Sequence, residues 1–117
     1  MLRRMDDKAS IERRQAVRIP VAIPMELRGE RGFSLYGTRT ISLGGAFFDR
    51  AIPHDVGARL EVAFTLPGDE EQVVCAGEVV NVPDRGGFGM GVRFLDLRPE
   101  DKRRLESFVE RMRGEAP

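Results

Sequence analysis

Several reactive and aromatic residue types are scarce in this chain. It has one cysteine, Cys75, one histidine, His54, one tyrosine, Tyr36, and no tryptophan among 117 residues. A single cysteine excludes an intramolecular disulfide, and a single histidine leaves no Cys/His cluster for a zinc site. No apolar run approaches the roughly 18 residues of a membrane span. Met1-Leu2-Arg3-Arg4-Met5-Asp6-Asp7 has no apolar stretch behind its basic residues. Neither a membrane span nor a secretory signal is therefore expected, and the cytoplasm is the expected location. Lys plus Arg (19) equals Asp plus Glu (19). That balance, with one tyrosine, gives neither the broad basic groove nor the stacking platforms that nucleic acid needs. Paired acid and base, metal cluster and activated nucleophile are all missing, so no enzyme is expected.

Alternation, by contrast, is abundant. A chain 41% apolar and 32% charged fits one soluble domain with its own core. Residues 1–11 show no sustained period and are read as a flexible arm, leaving 12–117 as the domain. Ile19, Val21, Ile23, Met25 and Leu27 fall on one face of a strand. Pro20 and Pro24 share the other face, so this strand is an edge or pairs irregularly. After the turn at Gly29-Glu30-Arg31-Gly32, Phe33 to Ser42 supplies a second strand, and Ala46-Phe47-Phe48 continues beyond Gly44-Gly45. Leu60 to Leu66, Val73 to Val82 and Phe88 to Phe94 alternate in the same way, with a bulge or bend expected at Gly77. Phe88, Met90, Val92 and Phe94 share one side of the last run and Gly89, Gly91 and Arg93 the other, where the glycines leave a smooth outer stripe on which another segment or a ligand could lie.

Pro99 opens a helix over about 99–112, because Glu100 and Asp101 suit its positive end and Leu105, Phe108, Val109 and Met112 form one stripe. Arg98 is a poor cap, so the helix start is expected to fray, and Lys102, Arg103 and Arg104 are expected to be solvated. Five or six strands with short turns, ahead of one helix, predict a small antiparallel barrel over about 18–95.

Two patches stand outside the core pattern. Arg13, Arg14 and Arg18 concentrate planar, always charged donors just before the first strand, and such forks suit phosphate oxygens or a purine acceptor edge. The ordinary reading of a charge run is a solvated segment. Thr40 and Ser42, two residues apart on a strand, present hydroxyls on one face. Gly44-Gly45 follows, marking either a turn with positive φ or a place where something approaches the backbone closely. His54 has no partners at catalytic spacing and is given no role, and Cys75 is read as a small core residue.

The segments R-R-Q-A-V-R at 13–18, T-I-S-L-G-G at 40–45, G-M-G-V-R-F-L-D-L at 89–97 and P-E-D-K-R-R-L-E-S-F-V at 99–109, in this order, resemble a PilZ domain. The resemblance runs from Glu12 to Met112. It implies a six-stranded antiparallel β-barrel with a C-terminal helix, acting as a receptor for cyclic di-GMP without cofactor or metal. The family's R-x-x-x-R falls on Arg14 and Arg18, with Arg13 as the extra basic residue. Its D/N-x-S-x-x-G falls on Thr40, Ser42 and Gly45, with Gly44 beside it. The implied ligand set is Arg13, Arg14, Arg18, Thr40, Ser42, Gly44 and Gly45. The resemblance further implies an arm that folds over the nucleotide, singly bound or as a stacked dimer, and so signals to a protein partner. The expected protein is a monomer or weak homodimer. Thr40 stands where the family has Asp or Asn, which leaves a ligand-independent interaction module as the alternative.

Overall fold

The computed structural model describes residues 17–30, 32–52, 54–82 and 88–115. Arg13, Arg14 and the arm lie outside the described residues. The strands are β1 Ile19–Pro20, β2 Pro24–Gly29, β3 Gly32–Gly37, β4 Thr40–Ile41, β5 Gly45–Phe48, β6 Arg59–Phe64, β7 Val73–Asn81 and β8 Met90–Phe94, and helix α1 spans Pro99–Glu115. They form one curled antiparallel sheet in the order β1-β4-β5-β8-β7-β6-β2-β3. The fold is the expected one, but with eight strand segments in place of six.

The difference arises because two long strands each break at one corner. β1 and β2 are parts of the first expected strand, and β3 and β4 are parts of the second. Pro20 ends β1 and Pro24 begins β2, where the missing N–H groups cost no ladder bond. Thr38, buried between β3 and β4, replaces the backbone pairing at that point. Its hydroxyl accepts from Ile23 N at 3.0 Å and donates to Val21 O at 2.5 Å, while its own N–H donates to Ile23 O at 3.1 Å. The chain thus carries β1 to one end of the sheet and β2 toward the other, so the two edges are tied together covalently.

The core follows the alternation. Ile23, Met25, Leu27, Phe48, Val62, Phe64 and Val79 are almost fully buried, each side chain contributing about 1.5–3 kcal/mol. Cys75 is among them, and burial first, then Asp96 and Asp101, push its thiol up to about 12, leaving it inert. Phe88 departs from its expected side. Gly89 takes φ 128° and β8 starts only at Met90, so Phe88 is exposed. The expected bulge is also displaced. Val79 pairs with Val92 and Asn81 with Gly91, so the extra residue lies between Val79 and Asn81. Gly77 serves close packing instead, since a Cβ there would meet Val62 Cγ2 and Val92 Cγ1 at 2.8 Å.

Helix α1 lays Leu105, Phe108 and Val109 on the core, and its start is pinned where fraying was expected. Asp101 has no exposed side-chain surface and accepts from Arg98 Nε at 3.0 Å and Arg104 Nη1 at 2.8 Å. Arg104 also reaches Asp69 at 3.2 Å and the Glu71 carbonyl, tying the helix to the turn between β6 and β7. Arg104 is therefore a structural tie and not a solvated base. The hydrogen bond from Arg98, helped by Arg104 and opposed by burial, holds the Asp101 carboxyl below its ordinary 3.8. A depressed carboxylate contributes stability that is full above its unfolded value and is lost as pH falls through the folded one. Asp101→Asn is expected to cost about 1.5–3 kcal/mol at neutral pH, with the gap to wild type shrinking below about pH 4. Urea denaturation at neutral and acidic pH checks this, and a pH-independent gap would contradict it.

Among the described residues no helix is long and apolar enough to cross a membrane.

Candidate functional site

The ladder register brings the two sequence patches together. β1 pairs with β4 through Ile19 opposite Ile41 and Pro20 opposite Thr40, so one further step along the chain sets Arg18 beside Ser42. β4 turns into β5 with Ser42 N–H donating to Gly45 O at 2.9 Å. β5 then lies on β8, with Gly45 opposite Arg93 and Phe47 opposite Gly91. The result is a cleft of about 250 Å³ on the surface of the curled sheet, lined by Arg18, Thr40, Ser42, Gly44, Gly45, Ala46, Phe47, Val80, Asn81, Gly91, Val92 and Arg93. Five of the seven residues in the expected ligand set share this cleft, and Arg13 and Arg14 lie outside the described residues.

The glycines divide their work. Gly45 has no positive φ; a Cβ on it would stand 2.1 Å from the Val92 carbonyl oxygen. Of the two roles open to the double glycine, close approach is the one Gly45 fills, and the approaching group is the chain's own β8. Gly91 also lines the cleft, with Asn81 Cβ 3.0 Å from where its side chain would begin. The bulge at Val79–Asn81 leaves Val80 and Asn81 lining the cleft, a common use of a bulge beside a site.

The hydroxyls differ as well. Ser42 Oγ donates to Gly45 O and accepts from Gly44 N–H, both at 3.3 Å, bracing the turn. One lone pair remains for a ligand donor. Thr40 Oγ1 takes no hydrogen bond among the described residues and sits open in the cleft. Among the described residues Arg18 and Arg93 are the charged lining residues, and none of the lining residues is acidic. Arg93 Nη2 is held by Glu78 Oε1 at 2.5 Å across the β7–β8 ladder. The arrangement combines guanidiniums, hydroxyls, backbone groups and glycine, which suits an anion with a flat, hydrogen-bonding body.

The sequence model of the PilZ domain family matches residues 12–111. This chain is a PilZ domain. The family is one of cyclic di-GMP receptors, regulatory binding domains and not catalysts. Solved structures share the fold, among them the following two. The inhibitor of motility MotI/DgrA of Bacillus subtilis superposes with a TM-score of 0.71 at 21% identity, over 86% of this chain and 51% of that one. The PilZ domain of CeSA from a cellulose-synthesizing bacterium superposes with a TM-score of 0.54 at 22% identity, over 83% and 94% of the two chains. The PilZ chain described here therefore spans about half the length of the motility inhibitor. Comparison with curated protein sequences gave no match.

Sequence reasoning pointed to the glycine stripe of β8 but missed Val80 and Asn81 of β7 and the place of Arg93 in this PilZ cleft. Arg93 was legible as an outward residue of the last strand, because Met90, Val92 and Phe94 alternate around it. Its neighbourhood was not, since only the β5–β8 register sets it beside Gly45. Asn81 gave no signal, because its place depends on the bulge.

Proposed function

We propose that this PilZ domain binds cyclic di-GMP in the cleft and acts as an adaptor, its N-terminal arm changing conformation on binding and signalling to a protein partner. The observation that carries this reading is convergence. Arg18, Thr40, Ser42, Gly44 and Gly45, from separate segments of the chain, line one cleft with two arginines, of which Arg93 is paired with Glu78, and no acidic residue among its described lining. At about 250 Å³ the cleft is smaller than the roughly 300–1,000 Å³ that buries a drug-sized ligand. In this reading Arg13 and Arg14 join Arg18 in binding, and the charge of three guanidiniums suits one nucleotide or a stacked pair.

The first described residues support this reading. Arg18 lines the cleft, while its neighbour Val17 lines a groove of about 270 Å³ with Leu43, Glu106, Val109, Glu110 and Arg113 on the helix side. Drawing Arg14 and Arg18 toward a ligand pulls on a residue seated against α1.

Thr40 favours a second reading, the ligand-independent module. An Asp there would accept two hydrogen bonds from a guanine edge, whereas threonine offers one shorter hydroxyl. Calorimetric titration with cyclic di-GMP separates the two. The receptor reading predicts measurable heat with wild type and about tenfold or more tighter binding for Thr40→Asp, the gain of a charge-assisted bond. No heat from either protein at high nucleotide concentration would leave the interaction module.

A further inference from the structure

We propose that the outer edge of β3 is a self-association surface, on which a second copy of this chain pairs its own β3 antiparallel across a two-fold axis. Among the described residues β3 ends the row of strands and is paired on one side only, to β2. An unpaired edge presents backbone donors and acceptors, and soluble proteins usually protect it with charge, proline or great shortness. The opposite end of the row has such protection: β1 is two residues long and includes Pro20. β3 has none, reading Gly-Phe-Ser-Leu-Tyr-Gly over Gly32–Gly37. Its outward side chains Phe33 and Leu35 are 55% and 61% exposed.

A second copy is the fitting occupant because the segment complements itself. A two-fold axis through Ser34 opposes Phe33 of each chain to Leu35 of the other, an apolar cross-strand pair made twice. Within each chain Arg28 lies beside Phe33 and Glu26 beside Leu35. Each row across the joined sheet therefore reads Arg28, Phe33, then Leu35 and Glu26 of the second copy: an apolar centre closed by opposite charges. No like charges meet. The Arg28 guanidinium, 5.2 Å from the Phe33 ring centroid, forms the rim of that centre. An axis through Leu35 would oppose Phe33 to Gly37 and forfeit the match. The edge shares no residue with the cleft, so the association is independent of ligand.

Sedimentation velocity of the full chain, from micromolar to near-millimolar concentration, tests this. The expected result is a concentration-dependent rise from 13.1 kDa to twice that mass, unchanged by Arg18→Ala. Leu35→Lys, which puts a charge into the apolar centre, should weaken the dimer roughly tenfold or more. Ser34→Cys should form a disulfide-linked dimer on mild oxidation in higher yield than Leu35→Cys, since Cys75 is buried and does not compete. Wild type remaining at 13.1 kDa throughout, a dimer indifferent to Leu35→Lys, or a Ser34→Cys yield no higher than that of Leu35→Cys would each overturn the proposal.

Discussion

Gly45→Ala is expected to cost at least about 3 kcal/mol, a large part of the total stability of a domain this size. A Cβ at this position meets the Val92 carbonyl oxygen at 2.1 Å, the Val92 carbonyl carbon at 3.0 Å and Arg93 Cα at 3.1 Å. All three are backbone atoms of the neighbouring strand, so no flexible side chain can move aside. Relief requires β5 and β8 to part, which breaks the ladder that sets Gly45 opposite Arg93 and Ala46 opposite Val92. Gly37→Ala is the control, since a Cβ there meets nothing within 4 Å and the expected change is within about 1 kcal/mol. Urea denaturation of the two variants gives the comparison. A Gly45→Ala protein as stable as wild type would show that this glycine is needed for something other than strand approach.

Arg18→Ala is expected to lower cyclic di-GMP affinity by about tenfold to a hundredfold or more. That is the consequence of removing a charge-assisted hydrogen bond worth about 1.5–3 kcal/mol. Stability should move by no more than about 0.5 kcal/mol, because Arg18 is exposed and its loss opens no cavity. The pairing of a large binding loss with an unchanged fold separates this residue from Gly45, whose substitution reaches the ligand only through the strands. Arg18→Lys should fall between, keeping the charge but losing the planar fork. Calorimetry beside urea denaturation measures both quantities. Unchanged affinity would remove Arg18 from the site.

What could be read from the residues, and what could not, divides along physical lines. Alternation gave the strands because one face of each is buried and period two follows from the pleat. The i, i+3, i+4, i+7 stripe gave α1 for the same reason. The corners were hidden, since the Thr38 hydroxyl that joins Val21 to Ile23 acts across more than a dozen residues. The bulge at Val79–Asn81 was hidden too, because a run of Val, Val and Asn looks regular until its partner strand is known. Asp101 was read as a partner of the helix dipole, which local position allows, but it is buried and paired with two arginines. The cleft itself was half legible: Arg18, Thr40, Ser42, Gly44 and Gly45 stand in recognisable segments, whereas Arg93 and Asn81 join them only through strand register.

The central claim is that a cyclic dinucleotide occupies the surface formed where β1, β4, β5, β7 and β8 meet. Amide chemical shifts followed during a cyclic di-GMP titration of the full chain test it most directly. The account predicts saturable shifts clustered at Arg18, Thr40, Ser42, Gly44, Gly45, Asn81 and Gly91, with the β3 amides of Phe33 and Leu35 unmoved. Shifts absent at high nucleotide concentration, or clustered on a surface that excludes Ser42 and Arg18, would contradict it.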